Sequence, residues 1–416
     1  MPKDKTYQVI DHLFRREYGK MVAALTKAFG PENLLMVEDV VQDTFMKALK
    51  VWSFGQLPDK PEAWLYRVAK NRAIDILRHQ KTRIKYGLDK KARASIEARV
   101  DEVFLSREIP DSQLRLIFMC CLLDLDAADI IALTLKIVSG FGNKEIATAL
   151  CQNNETIKKR LQRARKKLQN SAIITNTPDD LREKTNQVLR ILYLIFNEGY
   201  YSPHNTNLLS KDLCLEAMRL TKIVCDHPMA VTEESFALLA LMCYHAARFE
   251  SRISVDKTVV LLEDQDRTLW DPELIKVGHY YYSKAQKGQK YSVYHIEAAI
   301  AAQHILSIKF EETDWARLAH LYTLLAEIKP FPSVKLNLVV VLIQGNEIKN
   351  AEKIYNDLRP NQFLPNPYLY YAVGGLLFQK INNIIDAEKY LITALQYAGH
   401  PSEKETLQRR LNNLRN

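Results

Sequence analysis

Glycine is scarce in this 416-residue chain, with 13 in all, and none of them builds a phosphate-cradling loop, a dinucleotide fingerprint or a nucleophile elbow. Catalysis by the chain itself is therefore not expected, and no cofactor is implied. The six cysteines, Cys120, Cys121, Cys151, Cys214, Cys225 and Cys243, lie inside apolar helical patterns without a CxxC pair. That excludes the usual zinc spacing and a disulfide framework, and suits a reducing cytoplasm. His245, His279, His295, His304 and His320 are scattered with no HExxH spacing, so they read as packing or surface histidines rather than metal ligands. Glu263, Asp264, Asp266 and Asp271 have no histidine or glycine-rich loop beside them. They read as an exposed acidic turn that caps helices or contacts the basic N-terminal part. Long hydrophobic runs are missing as well. The start MPKDKTYQVI has no apolar signal core, and FALLALMCYHAA (236–247) and LNLVVVLI (336–343) are too short to span a bilayer. A cytoplasmic protein with no membrane partner is expected.

What is present is helix. Apolar residues make up 47% of the chain and recur at spacings of three and four nearly throughout, so the fold class is all-α with more than one core. Net charge is +9, and roughly +10 falls in the first ~170 residues, leaving the rest near neutral. That asymmetry favours a nucleic-acid partner for the N-terminal part. Four zones separate: a helical block at 8–80, a basic linker at 81–108, a compact helical block at 109–170, and a helical extension at 180–416. The linker KTRIKYGLDKKARASIEAR is poor in large apolar residues and is expected to order only on a partner. Within the extension, AEKIYNDL (351–358) and AEKYLITAL (387–395) recur about 36 residues apart, each after an apolar helix and a polar turn. Tetratricopeptide-like (TPR-like) helix pairs are expected over about 313–416, although generic hairpins give the same pattern.

In the block at 109–170, GFGNKEIATALCQNNETIKKRLQRARKKLQ has the length pattern of a helix-turn-helix. Asn153 or Asn154 can cap the second helix, whose Ile157, Leu161, Ala164 and Leu168 share one apolar face. Lys158, Lys159, Arg160, Arg163, Arg165, Lys166 and Lys167 occupy the others and can follow DNA phosphates. Asn154, Glu155, Thr156 and Lys159, near the helix start, can reach base edges in the major groove. In the block at 8–80, MVEDVVQDTFMKALKVW places Val41, Phe45, Ala48, Leu49 and Trp52 toward a core, leaving Asp39, Gln42, Asp43 and Lys50 outside as a docking face. The next helix begins at Pro61 and brings Trp64, Asn71, Asp75 and Arg78 to one side. An aromatic beside amide and guanidinium groups suits unstacked bases, each worth about 1–3 kcal/mol of stacking. Read alone, Trp64 is more readily a core residue.

The runs EDVVQDTFMKALKVW and PEAWLYRVAKNRAIDILRHQ, followed by the helix-turn-helix ending KKRLQRARKKL, resemble regions 2 and 4 of the extracytoplasmic-function group of RNA polymerase sigma factors. The rest of the chain resembles a subgroup with a long C-terminal helical extension, on LRLIFMCC, YLIFNEGYYS, LLALMCYHAAR, LLEDQDRTLWDPELI and TDWARLAHLYTLL. Leu122-Leu123 depart from the His-Pro that follows the cysteine pair in many members. The resemblance implies that Asp39, Gln42, Asp43 and Phe45 belong to the helix that docks on core RNA polymerase. It implies that SFGQLPDKP with Trp64, Asn71, Asp75 and Arg78 handles an opened −10 element. It also implies that Asn154, Glu155, Thr156, Lys158, Lys159, Arg160 and Arg163 read the −35 element of promoter DNA, while the linker threads through the core enzyme. The expected function is to direct core polymerase to specific promoters and help open them. The extension would modulate that activity through a regulatory protein or ligand, at Tyr193 to Ser202 or at the acidic stretch 263–271. Two rivals remain at this point: a stand-alone helix-turn-helix regulator with a protein-interaction domain, and a peptide-binding scaffold.

Overall fold

Helix ends fall where the sequence supplies breakers and caps. The first helix, α1 (Lys3–Phe29), stops at Gly30, whose φ of 87° suits a residue without a side chain, and Pro31 opens the short 3-10 turn that leads into α2 (Leu34–Phe54). The computed structural model describes residues 3–54, 57–83, 108–150, 152–170, 178–200, 210–254, 260–288, 291–363, 366–399 and 401–415. Most of the linker at 81–108, the loop residues Gly55 and Gln56, and Cys151 lie outside the described residues. Every element among the described residues is an α-helix or a 3-10 turn, so the all-α expectation holds. None of these helices is long and apolar enough to cross a membrane.

The chain forms two compact units. The first comprises 1–199 and 212–232. Its α1, α2 and α3 (Pro61–Arg83) make a bundle around Leu25, Val37, Val41, Phe45, Trp52 and Leu65. Against α1 packs α4 (Glu108–Cys121), followed by α5 (Ala127–Ile137), α6 (Asn143–Ala149) and α7 (Asn154–Gln169). The approach is close: a methyl group on Gly19 of α1 would overlap the Val138 carbonyl just after α5. Helices α8 (Pro178–Tyr200) and α9 (Lys211–Asp226) contribute almost all their length to this same unit. Thr185 donates to the Ala230 carbonyl, and His227 meets Asp111 of α4 at 2.8 Å.

The second unit comprises 200–211 and 233–416. Apolar nearly all round, α10 (Glu233–Ala246) is buried between α12 (Pro272–Ala285) and α13 (Val293–Leu306), as such a helix must be. The short α11 (Phe249–Arg252) precedes α12. After α14 (Trp315–Ile328) come two hairpins, α15 (Pro332–Gln344) with α16 (Ile348–Asn356) and α17 (Tyr368–Lys380) with α18 (Ile384–Tyr397), then α19 (Pro401–Arg415). The hairpins repeat in detail. Asn346 and Asn382 both take left-handed φ, 61° and 63°, and Glu347 and Asn383 donate their backbone N–H to Leu342 and Phe378 in the same closing bond. Ala351 and Ala387 are each fully buried at the hairpin crossing. The acidic turn is structural: Asp266 and Asp271 cap helical turns, and Glu263 and Asp264 pair with Arg410 and Arg409 of α19.

Candidate nucleic-acid interface

Helix α7 is built to present one face. Asn153 caps it, its side chain accepting from the Thr156 N–H at 2.7 Å, which makes Asn154 the first helical residue. Ile157, Leu161, Ala164 and Leu168 are buried beneath. Glu155, Lys158, Lys159, Gln162, Lys166 and Lys167 are exposed, while Asn154 and Thr156 are half-buried at the start of the helix. Glu155 holds Lys158 at 2.7 Å, and Lys167 lies 3.7 Å from Asp124. Among the described residues Lys159 and Lys166 have no carboxylate partner within ion-pair distance.

The arginines behave differently, and the sequence reading did not foresee it. Asp129, at the start of α5 and fully buried, accepts from Arg160 Nη1 at 2.6 Å and from Arg163 Nε at 2.6 Å. Arg160 Nε also donates to Gln152 at 2.9 Å. Arg165 makes a two-pronged pair with Glu38 of α2, at 3.0 and 2.8 Å. A buried carboxylate must be ionically and hydrogen-bond paired to be tolerated, and guanidinium forks do this well. Arg160 and Arg163 are thus the clamps that hold α7 on α5, with Arg163 the more exposed of the two. The exposed positive charge of α7 rests mainly on its lysines.

On α2, Asp39, Gln42 and Asp43 are exposed, and Asp43 receives Arg72 of α3 at 3.3 Å. Phe45 is corrected: it is 5% exposed and packs edge-on against Phe14, with ring centroids 5.0 Å apart, so it shapes the helix from beneath and offers no surface. Leu35 and Met46, 53% and 54% exposed, were missed. They fall at the spacing 35, 39, 42, 46 that makes one helical stripe, and an apolar residue on a polar stripe was the available signal. On α3, Asn71 and Asp75 are exposed, and Trp64 is half-buried with its ring 5.2 Å from that of the core residue Trp52. The Arg78 side chain lies outside the described residues. Glu17 of α1 is buried beside this helix and accepts from the Tyr66 hydroxyl at 2.5 Å. Burial opposes its ionisation, but Tyr66, Lys20 and Arg16 outweigh that and hold its pKa low.

Cys120 and Cys121 are buried, and burial pushes the Cys121 thiol up to about 12, which leaves it un-ionised and unreactive.

Comparison with known proteins follows the same division. The Sigma-70 region 2 family matches residues 14–83, on α1 to α3. The Sigma-70, region 4 family matches 115–168, on α4 to α7. A family of unknown function (DUF6596) matches 184–286. An uncharacterized protein of Rhizobium meliloti (strain 1021) is 31% identical over 408 residues, covering 95% of each chain. No solved structure matches.

Proposed function

The chain belongs to the sigma factors of the extracytoplasmic-function-like kind that carry a C-terminal extension, and from that membership we propose how its parts divide the work of promoter recognition. Its sigma-70 regions bind core RNA polymerase and promoter DNA. In our reading, the stripe Leu35, Asp39, Gln42, Asp43 and Met46 of α2 docks on core polymerase. Trp64, Asn71 and Asp75, with Arg78, capture the opened −10 strand. The start of α7, at Asn154, Glu155, Thr156 and Lys159, reads the −35 bases while Lys158 and Lys166 follow phosphates. The extension, from 180 onward, sets how active the factor is. The observation that carries this reading is the capped α7, with a sealed apolar face and an outward row of lysines, in the same chain as the exposed polar face of α3.

The deciding experiment is promoter-dependent transcription in vitro with core polymerase and the purified chain, full length and ended at residue 232. That cut keeps α8 and α9 with the unit in which most of each is buried; ending nearer 175 would strip their apolar faces from it. Discrete transcripts that require the chain are expected, and the difference between the two forms gives the sign of the extension's effect. Duplex binding without core polymerase, and no transcripts with it, would identify a free-standing regulator instead.

Two smaller effects follow. Leu35→Glu and Met46→Glu are expected to weaken core-polymerase binding about tenfold, roughly 1.4 kcal/mol, with little change in melting temperature. Binding measured by fluorescence anisotropy with unchanged affinity would place the docking face elsewhere. Lys159→Gln combined with Lys166→Gln should lower the slope of log affinity against log salt by roughly 2, as two phosphate contacts would. Lys159→Gln alone should also alter which −35 sequences are preferred; an unaltered preference means that this residue does not read bases.

A further inference from the structure

Within the second unit three guanidinium groups lie close together, and among the described residues none is ion-paired, although Glu311 and Glu312 act on Arg267 from beyond ion-pair distance. Arg248 is 8% exposed and its Nε donates to a neutral acceptor, Gln265 Oε1, at 3.0 Å. Arg252 sits over the ring of Tyr200, its guanidinium carbon 3.8 Å from the centroid, and its buried Nε has no hydrogen-bond partner. Arg267 donates through Nη1 to the carbonyls of His304 and Ser307, but its buried Nη2 has none. The indole of Trp270 is shared: Arg267 lies 4.6 Å and Arg248 5.7 Å from its centroid. His304 adjoins the cluster with a buried Nδ1 that makes no hydrogen bond.

Among the described residues no Asp or Glu makes an ion pair with Arg248, Arg252 or Arg267. The carboxylates of the neighbouring turn are engaged elsewhere: Glu263 by Arg410, Asp264 by Arg409, Asp266 by Thr268, and Asp271 in capping α12. The mutual repulsion is felt by the histidines. Burial first, and then the charges of Arg248 with Arg252 or Arg267, push His245 down to about 3 and His304 to about 4, so both are neutral.

Aromatic faces stabilise the flat faces of guanidinium groups, yet leave the N–H edges unused. Those edges are the part that matches two oxygens of a carboxylate or phosphate. Burying cations together without a counter-ion is costly, and the unused donors indicate where the counter-charge belongs. His304, whose carbonyl accepts from Arg267, also lines a groove of about 350 Å³ walled by Trp315, Tyr322, Tyr368 and Leu376, which the three arginines do not themselves line. We propose that Arg248, Arg252 and Arg267, with His304 at the groove, form a binding site for a small oxyanion ligand bearing a carboxylate or phosphate group.

The test is thermal unfolding and calorimetric titration of the full chain with inorganic phosphate and with citrate, each against potassium chloride at matched ionic strength, so that screening is held constant. Saturable stabilisation beyond that given by chloride is expected. Arg252→Gln and Arg267→Gln should each weaken binding at least tenfold. Arg252→Gln, which removes a repelling charge and, among the described residues, no hydrogen bond, should leave the ligand-free melting temperature unchanged or higher, whereas Arg267→Gln also gives up its bonds to the His304 and Ser307 carbonyls. Lys276→Gln, at an exposed surface pair, should bind as the natural chain does. A response to phosphate alone assigns the site to phosphate esters, to citrate alone to carboxylates, and to both to oxyanions in general. If neither anion exceeds chloride, or both arginine variants respond undiminished, the proposal is overturned. The readout is binding alone, so its outcome is separate from whether the extension governs transcription.

Discussion

Asp129→Asn is expected to lower the unfolding free energy of the first unit by about 3 kcal/mol and to weaken binding to a −35 duplex. Asp129 is fully buried and is the shared acceptor of Arg160 and Arg163. An amide of the same shape keeps one acceptor but turns a donor toward a guanidinium and removes the only negative charge seen between the two arginines. Breaking one side of a buried ion pair commonly costs about 3–5 kcal/mol. The lower end applies here because Arg163 is more than half exposed and can turn toward water, whereas Arg160 is three-quarters covered. Binding falls with stability because these two arginines fix the angle at which α7 leaves α5, and the base contacts proposed for Asn154, Glu155 and Lys159 would depend on that angle. Urea unfolding of Asp129→Asn beside Asp124→Asn separates a buried clamp from an ordinary surface charge. Asp124 is fully exposed and 3.7 Å from Lys167, so its variant should behave as the natural chain does. Equal behaviour of the two variants would show that the buried pair contributes nothing.

Why the clamp was invisible in the sequence is a matter of chain separation. The apolar face of α7 is a local property, since Ile157, Leu161, Ala164 and Leu168 fall on one side of any helix that starts near 154, and the structure buries all four. The 36-residue period was legible for the same reason: Ala351 and Ala387 occupy equivalent places because each hairpin solves its own packing problem. Arg160 and Arg163 reach a partner 31 and 34 residues away, and Arg165 one 127 residues away, and no periodicity relates such positions. One signal did exist. Glu38 shares the buried stripe of α2 with Leu34, Val41 and Phe45, and a carboxylate at a core position needs a cation from somewhere. Phe45 belongs by resemblance to the docking helix while periodicity turns it to the core, and the structure buries it. The grouping of α8 and α9 with the first unit was equally hidden. Amphipathic periodicity says that a face is buried and does not say which neighbour buries it.

Loosening the Glu38–Arg165 pair is expected to raise the affinity of the free chain for a −35 duplex about tenfold, the opposite of what losing an ordinary contact does. The −10 and −35 elements lie about 25 base pairs apart, on the order of 80 Å along B-form DNA. In the first unit, however, the helix assigned to the −35 element is held at hydrogen-bond distance to α2 of the other bundle. On the proposed assignments this arrangement is closed, and reading both elements at once would require it to open. In the closed form Glu38 and Arg165 are both largely buried, so Glu38→Gln leaves Arg165 poorly neutralised there; in an open form both side chains return to water at little cost. The substitution thus penalises the closed state alone, and it also releases a cation for phosphate contact. Gly19→Ala provides a second perturbation with no change of charge, because the added methyl would drive α1 away from the Val138 carbonyl at the same junction. Both variants should bind the duplex more tightly and show a larger radius of gyration in solution scattering. The charge swap of Glu38→Arg with Arg165→Glu should restore the natural values. A ligand or partner can shift such an equilibrium only by the difference in its affinity for the two forms, and core polymerase, if it docks on the stripe of α2 beside Glu38 as proposed, would supply that difference. Should both variants bind duplex no more tightly than the natural chain, the pair is a structural brace, and opening is limited by some other contact.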